Sequence, residues 1–245
     1  MNALRRLRHV AMRVWDGLQG LTDADAEART IIRAVEPFTM TTDERLFGLI
    51  QAVRHVVRAE LPGDFVECGV WRGGSMMAAA LALLDERAAT RALHLFDTYE
   101  GMSAPSENDN DWRGVSASRR FTESKRADGG SSWCHASLED VRENLLGTGY
   151  DPKLVHFVKG KVEDTLPASA PESIALLRLD TDWYESTRHE LEQLYPRLVR
   201  GGVLIIDDYG WWQGARKATD EYLAANGIKL LLNRLDRTGR IAIKP

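Results

Sequence analysis

The sequence predicts an α/β fold with a doubly wound, mostly parallel sheet of seven strands. Short apolar runs that could be fully buried strands alternate with helical stretches, the pattern typical of parallel strands joined by crossover helices. A chain of 245 residues can bury a core of this size. We therefore expect a single domain over residues 1–245, with a helical N-terminal region over residues 1–60.

The N-terminal region begins with a predicted amphipathic helix. Leu4, Leu7, Val14 and Leu18 recur at helical intervals within residues 1–21, and arginines lie between them. Such a helix typically packs on its own domain or on a second subunit, and membrane-surface binding is the alternative. Because no apolar run there is long enough, we expect neither a signal peptide nor a membrane span.

Strands and helices then follow in alternation. The apolar runs occupy residues 64–70, 92–98, 154–160, 174–180, 202–208, 230–235 and 240–245. The helical stretches occupy residues 75–89, 137–147, 186–199 and 215–227. The last two strands lack an intervening helix, and residues 236–239 supply a turn, so we expect an antiparallel C-terminal hairpin.

Residues 99–136 lie outside the predicted sheet. Their periodicity is weak and they are rich in Gly, Ser, Asp and Arg, which would also fit a disordered linker. However, the segment follows the C-terminal end of a strand and carries Trp112, Phe121 and Trp133, more aromatic surface than a linker needs. We expect it to form a lid over the functional site.

Composition limits the class of protein. The 32 basic and 36 acidic residues give a net charge of −4, which argues against nucleic-acid binding as the main function. The two cysteines, Cys68 and Cys134, are far apart in sequence, and Cys68 lies inside an apolar run. We therefore expect reduced thiols and a cytoplasmic location rather than a disulfide framework.

A glycine-rich turn follows the first strand, in the stretch VECGVWRGGS at residues 66–75. Gly69 permits a sharp turn, Gly73 and Gly74 permit close approach, and Ser75 could cap the following helix. The Gly-x-x-x-Gly-Gly spacing differs from the Gly-x-Gly-x-x-Gly of dinucleotide sites, which disfavours a dinucleotide but not an adenosine.

Two acids near this turn favour a ligand with hydroxyl and amino groups. Asp97 ends the second strand, where its carboxylate could accept hydrogen bonds from both ribose hydroxyls, and Glu67 is expected to project toward the same cleft. S-adenosylmethionine has a ribose, an amino group and a sulfonium but no phosphate, so it is the predicted ligand. A glycine turn without a ligand is the alternative. Arg72 could face solvent or the carboxylate end of that ligand.

Four aspartates follow two neighbouring strands of the predicted sheet. Asp180 and Asp182 are two residues apart, which puts them on one face of an extended chain. Asp207 and Asp208 end the next strand, which a right-handed crossover would place beside the first. Carboxylates this close repel one another unless a cation neutralises them. Mg²⁺ is the expected ion because the ligands are oxygens and no paired cysteines or histidines lie nearby. The alternative is structural: Asp182 could cap the helix that starts near Ser186, and Asp207 with Asp208 could form an exposed turn.

Aromatic residues follow these acids. Tyr184, Tyr209, Trp211 and Trp212 could form walls for a ring-shaped substrate such as a sugar. Ordinary core packing is an equal alternative for each of them.

Five blocks of the sequence resemble the macrocin O-methyltransferase (TylF-type) family. The blocks are FVECGVWRGGS (65–75), FDTYEGM (96–102), KGKVEDTLP (159–167), LRLDTDWYEST (177–187) and GGVLIIDDYGWWQGARKATDEY (201–222). The family includes methyltransferases that act on deoxysugars of macrolide and aminocoumarin antibiotics. The resemblance implies a class I methyltransferase (Rossmann-like) fold that uses S-adenosylmethionine and Mg²⁺, usually as a homo-oligomer, with a dimer favoured.

The resemblance also implies roles for the four aspartates. Asp180, Asp207 and Asp208 would ligate the metal, and Asp182, outside that ligand set, would be the general base. The lid is where such enzymes differ most, so the resemblance does not identify the acceptor.

The methyl donor would be held by residues from several motifs. These positions are Met40, Thr41, Glu67, Gly69, Trp71, Ser75, Asp97, Thr98, Val162, Glu163 and Asp180. Among them, Met40 and Thr41 would close over the donor, Asp97 would hold the ribose, and Val162 with Glu163 would flank the adenine.

The predicted function is Mg²⁺-dependent O-methyl transfer from S-adenosylmethionine to a hydroxyl of a sugar or sugar-containing small molecule. A Mg²⁺-dependent phosphoester hydrolase is one alternative, disfavoured because no basic phosphate clamp accompanies the acids. A non-catalytic relative that binds S-adenosylmethionine is another, disfavoured because the acids of both strands are present.

Overall fold

The computed structural model, which describes residues 21–245, contains one sheet of seven strands in the order β3-β2-β1-β4-β5-β7-β6. The strands are β1 (Asp64–Cys68), β2 (Leu93–Asp97), β3 (Val155–Lys159), β4 (Ile174–Leu179), β5 (Leu198–Ile206), β6 (Asn233–Arg234) and β7 (Arg240–Ile243). Strands β1 to β5 run parallel, whereas β7 is antiparallel to both β5 and β6. The predicted doubly wound sheet and its C-terminal hairpin are confirmed.

Helices cover both faces of this sheet. They are α1 (Ala26–Val35), α2 (Asp43–Arg58), α3 (Gly74–Asp85), α4 (Ser118–Ser124), α5 (Leu138–Leu146), α6 (Val162–Thr165), α7 (Tyr184–Leu194) and α8 (Gln213–Ala225). Short 3₁₀ helices occupy Glu36–Phe38, Pro152–Leu154 and Tyr195–Arg197. Side-chain oxygens of Asp25, Thr42 and Ser137 accept backbone N–H groups at the starts of α1, α2 and α5. Residues 1–20 of the predicted amphipathic helix lie outside the described residues.

Several element boundaries differ from the prediction. Gly73, with φ of 89°, occupies the N-cap position of α3, so Ser75 lies inside the helix and is not its cap. Helix α7 begins at Tyr184 and ends at Leu194, and strand β5 begins at Leu198, whereas a helix was expected over residues 186–199. The 3₁₀ turn around Pro196 accounts for the early end, because proline has no N–H to continue a helix.

The core divides into two large clusters and one small one. On one face of the sheet, Ile50 and Val53 of α2 pack together with Leu83 of α3. On the other face, Leu191 and Leu194 of α7 pack against the sheet. The small cluster joins Trp133 of the segment 99–136 to Trp183 and Trp212, whose ring centroids lie 5.0 to 6.1 Å apart. The segment is thereby packed on the carboxyl edge of the sheet.

Neither cysteine forms a disulfide, and Cys68 is buried. None of the helices within residues 21–245 is long and apolar enough to cross a membrane.

Candidate active site

A cavity of about 940 Å³ opens at the carboxyl edge of the parallel strands. It brings together most of the residues that the sequence singled out. The donor-site candidates in its wall are Met40, Thr41, Gly69, Trp71, Ser75, Asp97, Thr98, Val162, Glu163 and Asp180. The other three aspartates, Asp182, Asp207 and Asp208, line the same cavity. Of the residues predicted to hold the donor, the metal ion or the proton, Glu67 alone is absent from the wall.

Two glycines of the first turn allow backbone segments to meet at the cavity floor. A Cβ atom on Gly69, whose φ is 80°, would lie 2.1 Å from the carbonyl oxygen of Asp180. A Cβ atom on Gly74 would lie 2.5 Å from the carbonyl oxygen of Phe38. No side chain fits at either position. The absence of a Cβ atom lets the turn pack directly against the end of β4 at Gly69 and against the segment before α2 at Gly74.

Asp97 organises the turn after β1. Its Oδ2 accepts the Val70 N–H at 2.6 Å and the Trp71 N–H at 3.2 Å, and its Oδ1 accepts the Tyr99 N–H at 2.7 Å. Burial raises the pKa of Asp97, and these backbone donors act in the opposite direction. The carboxylate is therefore already fixed by the backbone, and its contact with a ribose stays a prediction.

Arg72 has a structural role at the outer side of the same turn. Its guanidinium donates to Asp140 on α5 at 2.8 and 3.0 Å and to the Pro37 carbonyl at 3.1 Å, and it lies 5.1 Å from the centroid of the Phe38 ring. The ion pair connects α5 to the segment before α2, and Arg72 is not in the cavity wall.

Three aspartates form a compact acidic cluster. Asp180, Asp207 and Asp208 each offer a carboxylate oxygen, and these three atoms lie within 4.8 Å of one another. Asp208 also contacts the carboxyl group of Asp182. Burial is the main cause that raises the pKa values of Asp180 and Asp208 well above their ordinary value and that of Asp182 to about 7. Neighbouring aspartates add to these shifts, whereas Arg178 opposes the shift at Asp180 and the contact with Asp208 opposes it at Asp182.

Two arginines that the sequence analysis did not identify, one buried and one partly buried, support this cluster. Arg178 in β4 lies 2.8 Å from Asp180 and 2.6 Å from Asp207, and Arg45 in α2 donates to the other oxygen of Asp207. Arg45 also donates to Asp236 in the β6–β7 turn at 2.8 Å. Arg178 could have been found, because a charged residue inside a continuous apolar strand needs a partner.

Glu67 belongs to the same buried network. Its side chain is 1% exposed, and its Oε1 accepts from Arg178 Nη1 at 2.5 Å. Burial raises the pKa of Glu67 to about 7, while Arg178 opposes that shift. The carboxyl group thus lies beneath the cavity rather than in its wall, and its predicted contact with a donor ligand stays a prediction.

Asp182 sits in a tight, strained turn. The Trp183 N–H donates to the Thr181 carbonyl at 2.8 Å, and Asp182 between them has φ of 70°. This is the less common γ-turn, in which the central residue adopts a positive φ. The next helix, α7, is capped from the segment 99–136, because Asp109 accepts the Tyr184 N–H at 2.8 Å.

The wall beside Asp182 is aromatic and carries a cation. Trp133, Trp211 and Trp212 line the cavity, and Trp211 is 37% exposed. Arg120 on α4 stacks 4.1 Å from the centroid of the Trp133 ring. Tyr184 and Tyr209 do not line the cavity; their hydroxyls donate to Glu221 and Asp220 of α8. The prediction of an aromatic wall therefore holds for the two tryptophans and not for the two tyrosines.

Comparison with known proteins identifies relatives along nearly the whole chain. Residues 16–242 match the family model described as macrocin-O-methyltransferase (TylF). The 8-demethyl-8-(2,3-dimethoxy-alpha-L-rhamnosyl)-tetracenomycin-C 4'-O-methyltransferase of Streptomyces olivaceus is 35% identical over 92% of this chain and 82% of its own. The demethyldecarbamoylnovobiocin O-methyltransferase of Streptomyces niveus is 34% identical over 82% of this chain and 73% of its own.

Solved structures agree with this assignment. The structure of the O-methyltransferase NovP superposes with a TM-score of 0.73 at 32% identity, covering 84% of this chain and 82% of that one. The calicheamicin methyltransferase CalS11 has the same fold, with a TM-score of 0.63 at 19% identity over 89% and 91% of the two chains. The fold is therefore that of class I methyltransferases, as predicted, and the relatives favour methyl transfer over phosphoester hydrolysis.

Proposed function

The chain belongs to the macrocin O-methyltransferase family, and we propose that it transfers a methyl group from S-adenosylmethionine to a sugar hydroxyl of a small glycoside, with Mg²⁺ at the aspartate cluster. One observation carries the proposal. The acidic cluster, Asp182 and the glycine turn line one and the same cavity. A donor held at the turn and an acceptor held at the acids would meet inside that cavity.

The donor side of the cavity has a polar group that lacks a partner. Thr41 Oγ1 is buried and has no hydrogen-bond partner among the described residues, although it lines the cavity. Ser75, at the start of α3, is buried in the wall of the same cavity. A buried hydroxyl without a partner is costly, so Thr41 supports a ligand with amino or carboxylate atoms at this place. The methionine part of S-adenosylmethionine supplies both.

The acidic cluster fits a hard divalent cation. Three carboxylate oxygens within 4.8 Å of one another match the oxygen ligands that Mg²⁺ prefers, and the group contains no cysteine or histidine. Asp180, Asp207 and Asp208 would hold the ion, with Arg178 and Arg45 fixing the orientation of Asp207. When bound, Mg²⁺ supplies a Lewis acid that lowers the pKa of an acceptor hydroxyl.

Asp182 is suited to receive the hydroxyl proton. Its carboxyl group lies beside the cluster, against Asp208, and its pKa of about 7 is that of a useful base near neutrality. As the acceptor oxygen bonds to the methyl carbon, the carbon–sulfur bond breaks and its electron pair returns to sulfur, which becomes neutral. The proton goes to Asp182. The strand ends hold the base and the acceptor in the alignment that this displacement requires.

The aromatic wall supports a sugar as the acceptor. Trp133, Trp211 and Trp212 line the cavity that contains Asp182, and Trp211, which is 37% exposed, offers its ring to a sugar, since sugar rings stack on aromatic faces. The relative from Streptomyces olivaceus is named for a rhamnosyl-bearing acceptor, which agrees with this reading. Trp211 is partly exposed, so an aglycone attached to the sugar could extend over it toward solvent.

The resemblance to the family further supports a homo-oligomer, with a dimer favoured. The free thiols of Cys68 and Cys134 support the cytoplasm as the compartment. We expect no nucleic-acid partner, because the net charge is −4.

The test combines binding with product analysis. S-adenosylmethionine binding is measured by calorimetry, and the protein is then incubated with the donor, Mg²⁺ and a panel of demethylated glycosides that includes the acceptors of the relatives. We expect S-adenosylhomocysteine and an acceptor heavier by one methylene, with tandem mass spectra placing the methyl group on the sugar. A protein that does not bind S-adenosylmethionine, or that hydrolyses a phosphoester without it, would contradict the proposal.

A further inference from the structure

Glu190 is a buried acid for which the proposed reaction gives no role. It lies on α7 with 0% exposure, and neither of its carboxyl oxygens makes a well-formed hydrogen bond to a described residue. The Thr181 hydroxyl is the polar group that acts on it, and Thr181 Oγ1 is likewise buried without a hydrogen-bond partner among the described residues, so each is the group available to the other. An unpaired buried carboxyl destabilises a fold, so its presence calls for a reason.

The surroundings of Glu190 favour an uncharged carboxyl group. Glu163 and Asp180, both acids, are the titratable groups that act on it, and Glu190 in turn acts on the buried thiol of Cys68. Burial raises the pKa of Glu190 well above its usual value, and the two acids add to that shift. A neutral carboxyl carries an O–H donor as well as an acceptor, and it can therefore bond to a hydroxyl in either direction.

Thr181 is the first residue of the strained turn around Asp182. Its carbonyl accepts the Trp183 N–H at 2.8 Å, and the preceding Asp180 N–H donates to the Cys68 carbonyl at 2.8 Å. The turn separates Asp180, a member of the metal-sized cluster, from Asp182 with its φ of 70°. A positive φ at a residue other than glycine costs free energy and persists only where neighbouring contacts hold it.

We propose that Glu190 is a positioning residue: its carboxyl group bonds to the Thr181 hydroxyl and holds the strained turn that directs Asp182 toward the acceptor. The role of Asp182 in this statement rests on the proposed function, whereas the effect of Glu190 on the turn does not. Glu190 itself touches neither the cavity nor the reacting atoms.

Three substitutions separate positioning from general packing. Glu190→Leu fills similar space without a polar atom, and we expect kcat to fall roughly ten- to a hundred-fold, because small misplacements of a catalytic group have effects of that size. Glu190→Gln keeps a donor and an acceptor and should restore most of that rate. Thr181→Val should reproduce the loss, and the double variant Thr181→Val/Glu190→Leu should lose little more, because both changes remove one contact. The affinities for S-adenosylmethionine and Mg²⁺ should stay near those of the wild type.

Hydrogen–deuterium exchange measures how firmly the turn around Asp182 is held, and it requires no acceptor substrate. The Trp183 amide should exchange faster in Glu190→Leu and Thr181→Val than in the wild type, and Glu190→Gln should restore protection. The melting temperature of Glu190→Leu should stay close to that of the wild type, because the loss of one contact is offset by the removal of a buried carboxyl group. Glu192→Leu, the same change on the exposed face of α7, is the matched control and should alter neither exchange at Trp183 nor kcat.

The outcomes are distinct. Faster exchange with a lower kcat, both restored by glutamine, supports the inference. Unchanged exchange and unchanged kcat in both Glu190→Leu and Thr181→Val would overturn it, as would a loss of kcat that glutamine does not restore. If the wild type transfers no methyl group but exchange at Trp183 still rises in both variants, the proposed function fails and the role of Glu190 in holding the turn stands. Should Glu190→Leu not fold, Thr181→Val decides the question by the same measurements.

Discussion

Arg178 of β4 and Glu67 of β1 are register partners in the parallel sheet, and their side chains meet at 2.5 Å between Nη1 and Oε1. The same guanidinium also forms ion pairs with Asp180 and Asp207. One buried cation therefore contacts three acids from three neighbouring strands. The acidic cluster therefore rests on a charged layer inside the sheet, which holds its carboxylates in place before any ligand binds.

Removing the buried cation should destabilise the protein. Arg178→Met leaves Glu67 and Asp207 without their shared partner, and breaking a buried ion pair in this way costs about 3–5 kcal/mol of the free energy of unfolding. Urea unfolding followed by circular dichroism measures the loss. Adding Glu67→Gln to Arg178→Met should recover part of it, because one uncompensated charge is removed. Arg188→Met, which breaks an exposed ion pair on α7, should cost less than about 1 kcal/mol. Equal losses of stability for Arg178→Met and Arg188→Met would show that the buried ion pairs of Arg178 add nothing beyond an exposed pair.

Removing one carboxylate of the cluster should weaken metal binding. Asp208→Asn replaces a charged oxygen ligand by a neutral one, so we expect Mg²⁺ affinity to fall at least tenfold. Calorimetry with Mg²⁺ measures this, and S-adenosylmethionine affinity, measured in the same way, should change little. Asp23→Asn, an exposed substitution away from the cavity, is the control. Identical Mg²⁺ affinities for Asp208→Asn and the wild type would remove Asp208 from the metal site.

The stability of the metal-free protein should depend on pH in a direction set by Asp182. Its pKa rises from 3.8 to about 7 on folding, so the unfolded chain loses this proton first as the pH increases. The corresponding stability is present below the unfolded pKa and is lost as the pH rises through the folded pKa of about 7. Melting temperatures in chelator should therefore fall over this range.

Two comparisons test whether Asp182 causes this fall of the melting temperature with increasing pH. Saturating Mg²⁺ should reduce it, because the ion neutralises the neighbouring carboxylates and displaces their protons. Asp182→Asn, which cannot ionise, should reduce it as well. A slope that neither Mg²⁺ nor Asp182→Asn alters would show that other groups are responsible.

Arg120 should contribute to the acceptor side of the cavity. Its guanidinium lies over the Trp133 ring and lines the cavity, and it forms no ion pair with a residue that the structure describes. Its N–H groups are therefore available to hydrogen-bond the acceptor substrate. Arg120→Ala should raise the acceptor KM roughly tenfold, the effect of losing a charged hydrogen bond, with little change in donor affinity. The neighbouring Arg119, whose partner is Glu123, provides the matched control Arg119→Ala. If both variants raise KM equally, a general charge effect and not a contact explains the result.

Much of the fold could be predicted because its signals are local. Buried strands such as 174–179 appear as continuous apolar runs, and the helices between them carry the usual periodicity. The boundaries of α7 and β5 were less accurate, since the sequence pattern does not reveal that the chain passes through a 3₁₀ turn at Pro196 before it re-enters the sheet.

The site was predictable to the extent that strand ends bring residues together. Asp180 and Asp207 converge because β4 and β5 are parallel neighbours, a relation that alternating strands and helices already imply. The roles of Arg45 and Glu190 depend on contacts between distant elements, Arg45 with Asp207 and Glu190 with Thr181. Such contacts have no fixed spacing in sequence, so they appear only in the folded chain.

Methyl transfer during a Mg²⁺ titration tests the central claim most directly. The protein is treated with a chelator, desalted, and supplied with labelled S-adenosylmethionine and an acceptor glycoside found in the panel, while the formation of methylated sugar is followed against added Mg²⁺. We expect no transfer without the ion, a saturable return of activity with it, and a rate about 10²- to 10⁴-fold lower in Asp182→Asn at saturating Mg²⁺. Full transfer in the presence of chelator would exclude a metal-dependent reaction, and a wild-type rate in Asp182→Asn would exclude Asp182 as the base.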